Sequence, residues 1–453
     1  MSPPAATRRL ARRAAALAFA DLSRPVVEHA KACVLDWIGS ALCGATSPTA
    51  AITHRAVRRI SGQGPATLVG RSPGASAFAA ALYNGAVSGV DEIDDVHQDA
   101  SLHPGIVVVP AALAMAEEHG ASGRQLLTAL VAGYDVVVRV ARAAGVSHYA
   151  HWHTTGTCGT FGAAAAAGSI LGLDPAAMTM ALGLAGTQAA GLWESLNGEA
   201  TMAKHLHGGK AASSGLLAAL LAQGGFRGSP SILEGAKGFL AAASTAGPDE
   251  MKGLTAHFGR PFLITRNFFK RYACCRAAFE GIQAVQALRE RGLAPDKVVR
   301  RITVTMRPHR LWLVGVRTPA TVSDAKFSQT FCMALMAVRG RVSPREFTPE
   351  ALRDPAIRRF MRRVVLAPDP TCAAKARIAI EFEDGSAPEH VEPVCRPPDV
   401  AAARHKFLET AAPRLTRSRV ERLLTAVDRL DRPGSLAELG RLLAAPSTRR
   451  LHR

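Results

Sequence analysis

Thr160-Phe161-Gly162-Ala163-Ala164-Ala165-Ala166-Ala167-Gly168 sits inside a run, residues 158–172, that carries no charge and little bulk. Alanine is the strongest helix former, and a helix this apolar all round is stable only when other elements cover it. Residues 211–224 have the same make-up. Both stretches fall short of the ~20 predominantly apolar residues that a membrane span needs, so they read as close-packed buried helices. Outward from them, 75–90, 105–119, 123–145, 175–192, 201–224 and 229–243 keep helical spacing, as does Val26 to Ala41. Glycine or proline punctuates these segments near 104, 120, 145, 173 and 229. The pattern predicts a large all-helical domain over residues 1–265.

The texture changes near 265. Arg301 to Met306 alternates polar and apolar residues and meets Pro308, and Arg377 to Glu383 alternates before the turn signal Asp384-Gly385. Val364-Val365-Leu366 is a third short strand candidate, and 276–292, 325–338 and 349–361 read as helices between them. This predicts a smaller inserted α/β domain, a lid, over 266–395. Helical spacing returns at 399–411 and 418–430, so residues 396–453 are expected to rejoin the helical domain. The expected fold class is mainly α with an α+β lid.

A chain of 453 residues that is 48% hydrophobic has ample material for a large core, which excludes intrinsic disorder. Only 5% of residues are aromatic, against a base-stacking nucleic-acid platform. The net charge of +19 raises that possibility again, but the charge is unevenly placed. Residues 80–200 hold three basic and eleven acidic side chains, while the basic excess lies in the first 20 residues and after 260. Arg358, Arg359, Arg362 and Arg363 fit a solvated helix face. The expectation is no nucleic-acid partner and no membrane, with net charge that favours a small anionic substrate.

Eight cysteines without a CxxC pair make neither a disulfide framework nor a cysteine metal site, which fits a reducing, cytoplasmic setting. Cys33, Cys43 and Cys158 read as core residues. The two arginine pairs at 8–13, followed by a short apolar stretch, read as a first amphipathic helix rather than a leader.

Four segments concentrate polar groups in apolar surroundings: Asp91–His97 with His103-Pro104-Gly105, His151–Gly159, Lys204–Lys210 and Lys270–Arg276. A metal site is the weaker reading, because H-x-H at 151–153 stands alone without a ligand set, and the local glycine suggests backbone approach to a ligand. Metal-free acid–base chemistry on a polycarboxylate fits better. Histidine exchanges a proton near neutral pH, a nearby carboxylate fixes its tautomer, and lysines hold carboxylates and steady enolate-like charge. His153, just before the glycine-rich turn, and Lys204, a lysine in a small-residue helix, stand out on these grounds. His151 and His205 read as surface or capping residues, Asp91 and Asp95 as solvated, and Lys210 as a lysine laying its stem along apolar surface.

Trp152-His153-Thr154-Thr155-Gly156-Thr157-Cys158-Gly159 resembles the GFHPTGTFG signature of the MmgE/PrpD family. Lys204–Ala212 resembles its K-x-LH-x-G-x-AA helix, and His103-Pro104 follows the acidic cluster as the family's HP motif does. Leu233–Phe239 resembles LEG-x-x-GF, Lys270–Arg276 resembles K-x-YP-x-CR, and Ala325–Ser328 resembles AKFS. The order holds across nearly the whole chain.

The resemblance implies a homodimer of helical and lid domains that acts on small carboxylate substrates without cofactor or metal. Family activities include dehydration of 2-methylcitrate, decarboxylation of cis-aconitate and epimerisation of iminodisuccinate. It implies catalytic roles for His153, His103, Lys204, Lys270 and Asp94, and substrate binding by Glu92, Thr157, Arg276 and Lys210. The imidazoles and ammonium groups are expected to share one cleft. The sequence departs from the family at Glu92 (usually Asp), Val96 (Thr), Ala273 (Pro), Phe279 (His) and Phe331 (Tyr). With those polar groups gone, the leading expectation is a hydro-lyase on a 2-methylcitrate-like acid with an altered substrate. The alternatives are an isomerase or decarboxylase on a related acid, or a non-catalytic carboxylate-binding homologue.

Overall fold

The computed structural model describes residues 5–196, 202–386, 388–391 and 399–445. The chain forms two compact units. One comprises Met1–Val90, Asp94–Phe269 and Pro398–Arg453, and the other Asp91–Ile93 and Lys270–Pro397.

The first unit is helical. In chain order it contains α1 (Ala6–Ala15), α2 (Arg24–Gly44), α3 (Pro48–Ile60), α4 (Ala77–Ser88), α5 (Gly105–Glu118), α6 (Gly123–Tyr149), α7 (Thr154–Ile170), α8 (Pro175–Gly186) and α9 (Met202–Gln223). Helices Val400–Thr410, Arg417–Asp428 and Ser435–Leu443 complete it, the first packing on α2. Side-chain oxygens cap the orphan N–H groups at several starts: Ser47 for α3, Ser76 for α4, Asp174 for α8, and the Ser122–Gln125 capping box for α6.

At the centre, α7 packs against α5, α6 and α9, and α9 against α4. Ala163 through Ala167 are fully buried. The small residues let backbones touch. A Cβ added at Gly209 of α9 would stand 2.1 Å from the Leu82 carbonyl oxygen of α4, and one at Gly162 of α7 would stand 2.6 Å from Val137 Cβ of α6. Glycine weakens a helix by up to about 1 kcal/mol relative to alanine, and here the close crossing offsets that cost.

Three expectations are corrected. Residues 229–243 are helical only at Phe239–Ala243. The Glu234 carboxylate accepts from the Thr7 N–H and hydroxyl, Thr7 Oγ1 accepts from Leu233 N–H, and the segment is thereby drawn into a turn against α1. The segment 349–361 is two helices, Pro349–Arg353 and Pro355–Met361, because Asp354 caps the second and Pro355 cannot continue the first. The glycine-rich stretch before residue 160 lies inside α7. A Cβ at Gly156 would stand 2.8 Å from Ala190 O, so this glycine permits close packing of the chain on itself.

The second unit holds a four-stranded sheet, β1 (Val299–Met306), β2 (Val364–Pro368), β3 (Arg377–Phe382) and β4 (Glu389–Val391), in the order β2-β1-β3-β4. β1 runs parallel to β2 and antiparallel to β3, and β4 pairs antiparallel with β3. The helical crossover between β1 and β2 is what a parallel pair requires. Ile302, Val304, Met306, Ile378 and Ile380 face the core. Helices Phe279–Glu290 and Gln329–Arg339 pack together, with Phe279 and Phe331 about 1% exposed. The whole is mainly α with a small α/β part, as the residue pattern predicts. Among the described residues no helix is long and apolar enough to cross a membrane.

Candidate active site

Within the helical unit the polar segments around His103, His153 and Lys204 meet at the start of α7. His153 is the N-cap residue, and its N–H donates to Gly191 O at 2.8 Å, part of a short bridge that ties 151–153 to 191–193. Its ring lies 4.6 Å from Trp193 between centroids and is 2% exposed, so it is part of the packed interior. The Thr155 hydroxyl, in the first turn of α7, accepts from the His103 N–H at 3.0 Å and fixes the 94–105 loop to that helix end. The His103 and His153 rings are 6.4 Å apart between centroids.

His103 Nδ1 is 2.9 Å from Asp94 Oδ2 and 2.8 Å from the Asp95 carbonyl oxygen. Both neighbours are acceptors, so Nδ1 carries hydrogen and Nε2 is the nitrogen that takes up or releases a proton. A buried carboxylate in this position can steady positive charge on the ring, as it does behind a general base. Asp95 has a different task. Its Oδ1 accepts from Gly105 N–H at 2.8 Å, and its Oδ2 from Tyr134 OH and Asn267 Nδ2, each at 2.6 Å. It is 2% exposed, which corrects the expectation of a solvated side chain, and burial raises its pKa. It fastens the loop to α5 and α6.

His153 Nδ1 is 2.9 Å from His207 Nδ1 on α9. One of the two must donate and the other accept. Burial, then the Lys204 and Lys210 charges, pushes the His207 pKa down to about 4, so His207 is neutral at pH 7 and can accept from His153. Lys204 is buried on the same helix, one turn before His207. Lys210, one turn after, is half-buried and donates to the Gln188 carbonyl, and burial lowers its pKa. The site therefore joins one carboxylate, three imidazoles and cationic charge at a helix N-terminus, where partial positive charge favours an anion. Among the described residues no group of three His, Cys, Asp or Glu side chains is placed to hold a metal ion.

The other residues named from sequence have partners of their own. The Thr157 hydroxyl is 2.7 Å from His148 Nε2, and His148 Nδ1 is 2.9 Å from Ala243 O, so Thr157 donates into a buried link within the helical unit. His205, expected at the surface, is buried with Nδ1 3.5 Å from Thr49 Oγ1, and His151 is exposed. Asp91, Glu92, Lys270 and Arg276 belong to the second unit. Lys270 Nζ is 3.2 Å from Glu92 Oε2 and 3.0 Å from Glu92 O, in a pair with side chains 0% and 1% exposed. Glu92 has φ 53°, a left-handed conformation unusual outside glycine, and the buried ion pair holds it. Asp91 pairs with Lys326 at 2.8 Å. Arg276 pairs with Glu280 at 2.8 Å and lies over the Phe279 ring.

His207 was missed in the sequence. Its signal was spacing alone: 204, 207 and 210 fall on one face of a helix. Tyr134 and Asn267 gave no signal, because each reaches Asp95 from a distant part of the chain.

The MmgE/PrpD N-terminal domain family matches residues 8–251, and the MmgE/PrpD C-terminal domain family matches residues 272–432. The chain is similar to the cis-aconitate decarboxylase of Aspergillus terreus, at 29% identity over 95% of this chain and 94% of the relative. It is 28% identical to the cis-aconitate decarboxylase-like protein oryM of Aspergillus oryzae, over 94% of each chain. The Homo sapiens cis-aconitate decarboxylase is 25% identical over 95% of this chain and 93% of its own length.

Proposed function

Because the chain belongs to the MmgE/PrpD family, we propose that it is a lyase of small polycarboxylates, with His103 and His153 as its proton-transfer groups. The observation that carries this reading is the Asp94–His103 pair beside a second imidazole that is itself bonded to His207. The favoured reaction is decarboxylation of a cis-aconitate-like acid, supported by the names of the relatives over nearly their full length. In that reaction the C–C bond to one carboxylate breaks and CO2 leaves. The electron pair spreads into the adjoining alkene and carboxylate, and a proton is then delivered to carbon. An imidazolium supplies that proton, and Lys204 with the α7 N-terminus supports the transient negative charge. His207 acts as a positioning residue that holds the His153 ring. Thr157 and Lys210 hold α7 and α9 in place, and the Lys270–Glu92 pair fixes the 91–93 turn.

Dehydration of a 2-methylcitrate-like acid is the second reading. It requires a base for the C–H proton and an acid for the departing hydroxide, and two imidazoles with different partners supply one of each. Incubating the purified protein with di- and tricarboxylates in deuterated water, followed by NMR, separates the readings. The expected result is CO2 loss from cis-aconitate with solvent deuterium in the product. Water loss from a hydroxy acid instead establishes the second reading. Tight binding without turnover across the panel overturns both.

A further inference from the structure

Within the helical unit a cavity of about 350 Å³ opens between the C-terminal half of α6 and residues 250–266. Arg139, Arg142, Arg260 and Arg266 line it, with Glu250 the one acidic side chain among its lining residues. None of the candidate active-site residues lines it.

These arginines are not equivalent. Arg139 forms the floor: its Nε donates to the buried Asp135 at 3.0 Å, and its other nitrogens to the carbonyls of Ala256 and His257. Arg142 gives one nitrogen to Asp99 at 3.0 Å, while its Nε is buried with no hydrogen-bond partner. Arg260 and Arg266 are exposed, and neither side chain has an ion pair or hydrogen bond among the described residues. Glu250 accepts from the Gly247 N–H at its own helix start. Guanidinium groups around one small cavity repel one another, and that repulsion is relieved by an anion whose oxygens match their planar donor geometry.

His97 is a buried neighbour of these charges. It is 0% exposed, and the Leu263 backbone is a hydrogen-bonding group beside its ring. It lies within the field of Arg142 and Arg266 and beside the Leu263 backbone, three of the cavity's lining residues. Burial and those charges keep it neutral, with its pKa lowered to about 4, so it does not add to the repulsion.

We propose that this cavity is a second binding site, for a small polyanion bearing phosphate or carboxylate oxygens, separate from the His103–His153 site. His97 belongs to the loop that carries Asp94 and His103, and its N–H donates to Leu102 O at 2.9 Å. Arg142, which lines the cavity, is tied to the same loop through Asp99.

Isothermal titration of the full chain with inorganic phosphate, and separately with citrate, tests the proposal. A phosphate-only or citrate-only response identifies which oxyanion the site takes. The expected result is saturable binding of at least one probe that weakens about tenfold or more in Arg260→Gln/Arg266→Gln. Arg8→Gln/Arg9→Gln, which removes the same charge from exposed positions on α1, should bind as wild type. No saturable binding, undiminished binding in the cavity variant, or equal loss in the α1 variant overturns the proposal. Should the double variant fail to fold, Arg266→Gln alone is read in the same way.

Discussion

At the residue scale, the decisive feature is which nitrogen of His103 is committed. With Nδ1 tied to Asp94 and the Asp95 carbonyl, only Nε2 is available for chemistry. Asp94→Asn should therefore lower kcat by about 10²–10⁴-fold with a much smaller change in KM, because the amide neither enforces the tautomer nor steadies the imidazolium. Lys204→Met should act the other way, raising KM for the anionic substrate more than it lowers kcat. Steady-state kinetics on both variants check this split, and wild-type kinetics in both would remove these residues from the mechanism. His153, read from sequence as lying just before a glycine-rich turn, is the N-cap of α7. Packed against Trp193 and His207, it requires that His153→Ala be compared by melting temperature before any rate is interpreted. Phe279 and Phe331 stand where the family shows polar side chains, and both are buried in the second unit. Phe279→His with Phe331→Tyr should shift the substrate profile toward more hydroxylated acids. An unchanged profile in a folded variant would disconnect these positions from selectivity.

At the element scale, the crossings of α4 with α9 and of α6 with α7 depend on missing side chains. Gly209→Ala would drive a methyl group onto the Leu82 carbonyl, and it should destabilise the fold by about 3 kcal/mol, measured by urea denaturation. A change below about 0.5 kcal/mol would show that the crossing yields easily. The helices were legible because their period and punctuation are local properties: α5, α6, α9 and the strands β1 to β3 all follow the residue pattern. What escaped was decided by distant partners. The turn at 229–238 depends on Glu234 meeting Thr7, more than two hundred residues away, and β4 is three residues long and has no meaning apart from β3. The site divides in the same way. His103, His153 and Lys204 lie in motifs that can be read in one dimension. The burial of Asp95 and the role of His207 emerge only when α5, α6, α7 and α9 are assembled.

At the scale of the whole molecule, histidines that fold in the neutral state make one contribution to acid sensitivity. Burial first of all lowers the pKa values of His29, His97 and His207 to about 4, against an unfolded value near 6.5. Below 6.5 the unfolded chain binds protons that the folded chain refuses. Their contribution is thus complete above pH 6.5 and is lost as pH falls toward 4. His29 stacks on Phe269 at 5.5 Å, and its Nε2 has no hydrogen-bond partner, so His29→Phe keeps the stacking and removes the titration. Between pH 6.5 and 4 that variant should lose stability less steeply, by up to about 1.4 kcal/mol per pH unit. Urea midpoints at three pH values measure the slope, and parallel slopes in variant and wild type would refute it. The glycine crossings also bear on engineering for heat resistance. The customary exchange of helical glycine for alanine is closed at positions 85, 209 and 215, where added atoms would strike backbone, but not at Gly253, where nothing stands within 4 Å. A saturation library should show the same division: depleted columns through the buried heart of the helical unit, and permissive ones along its rim.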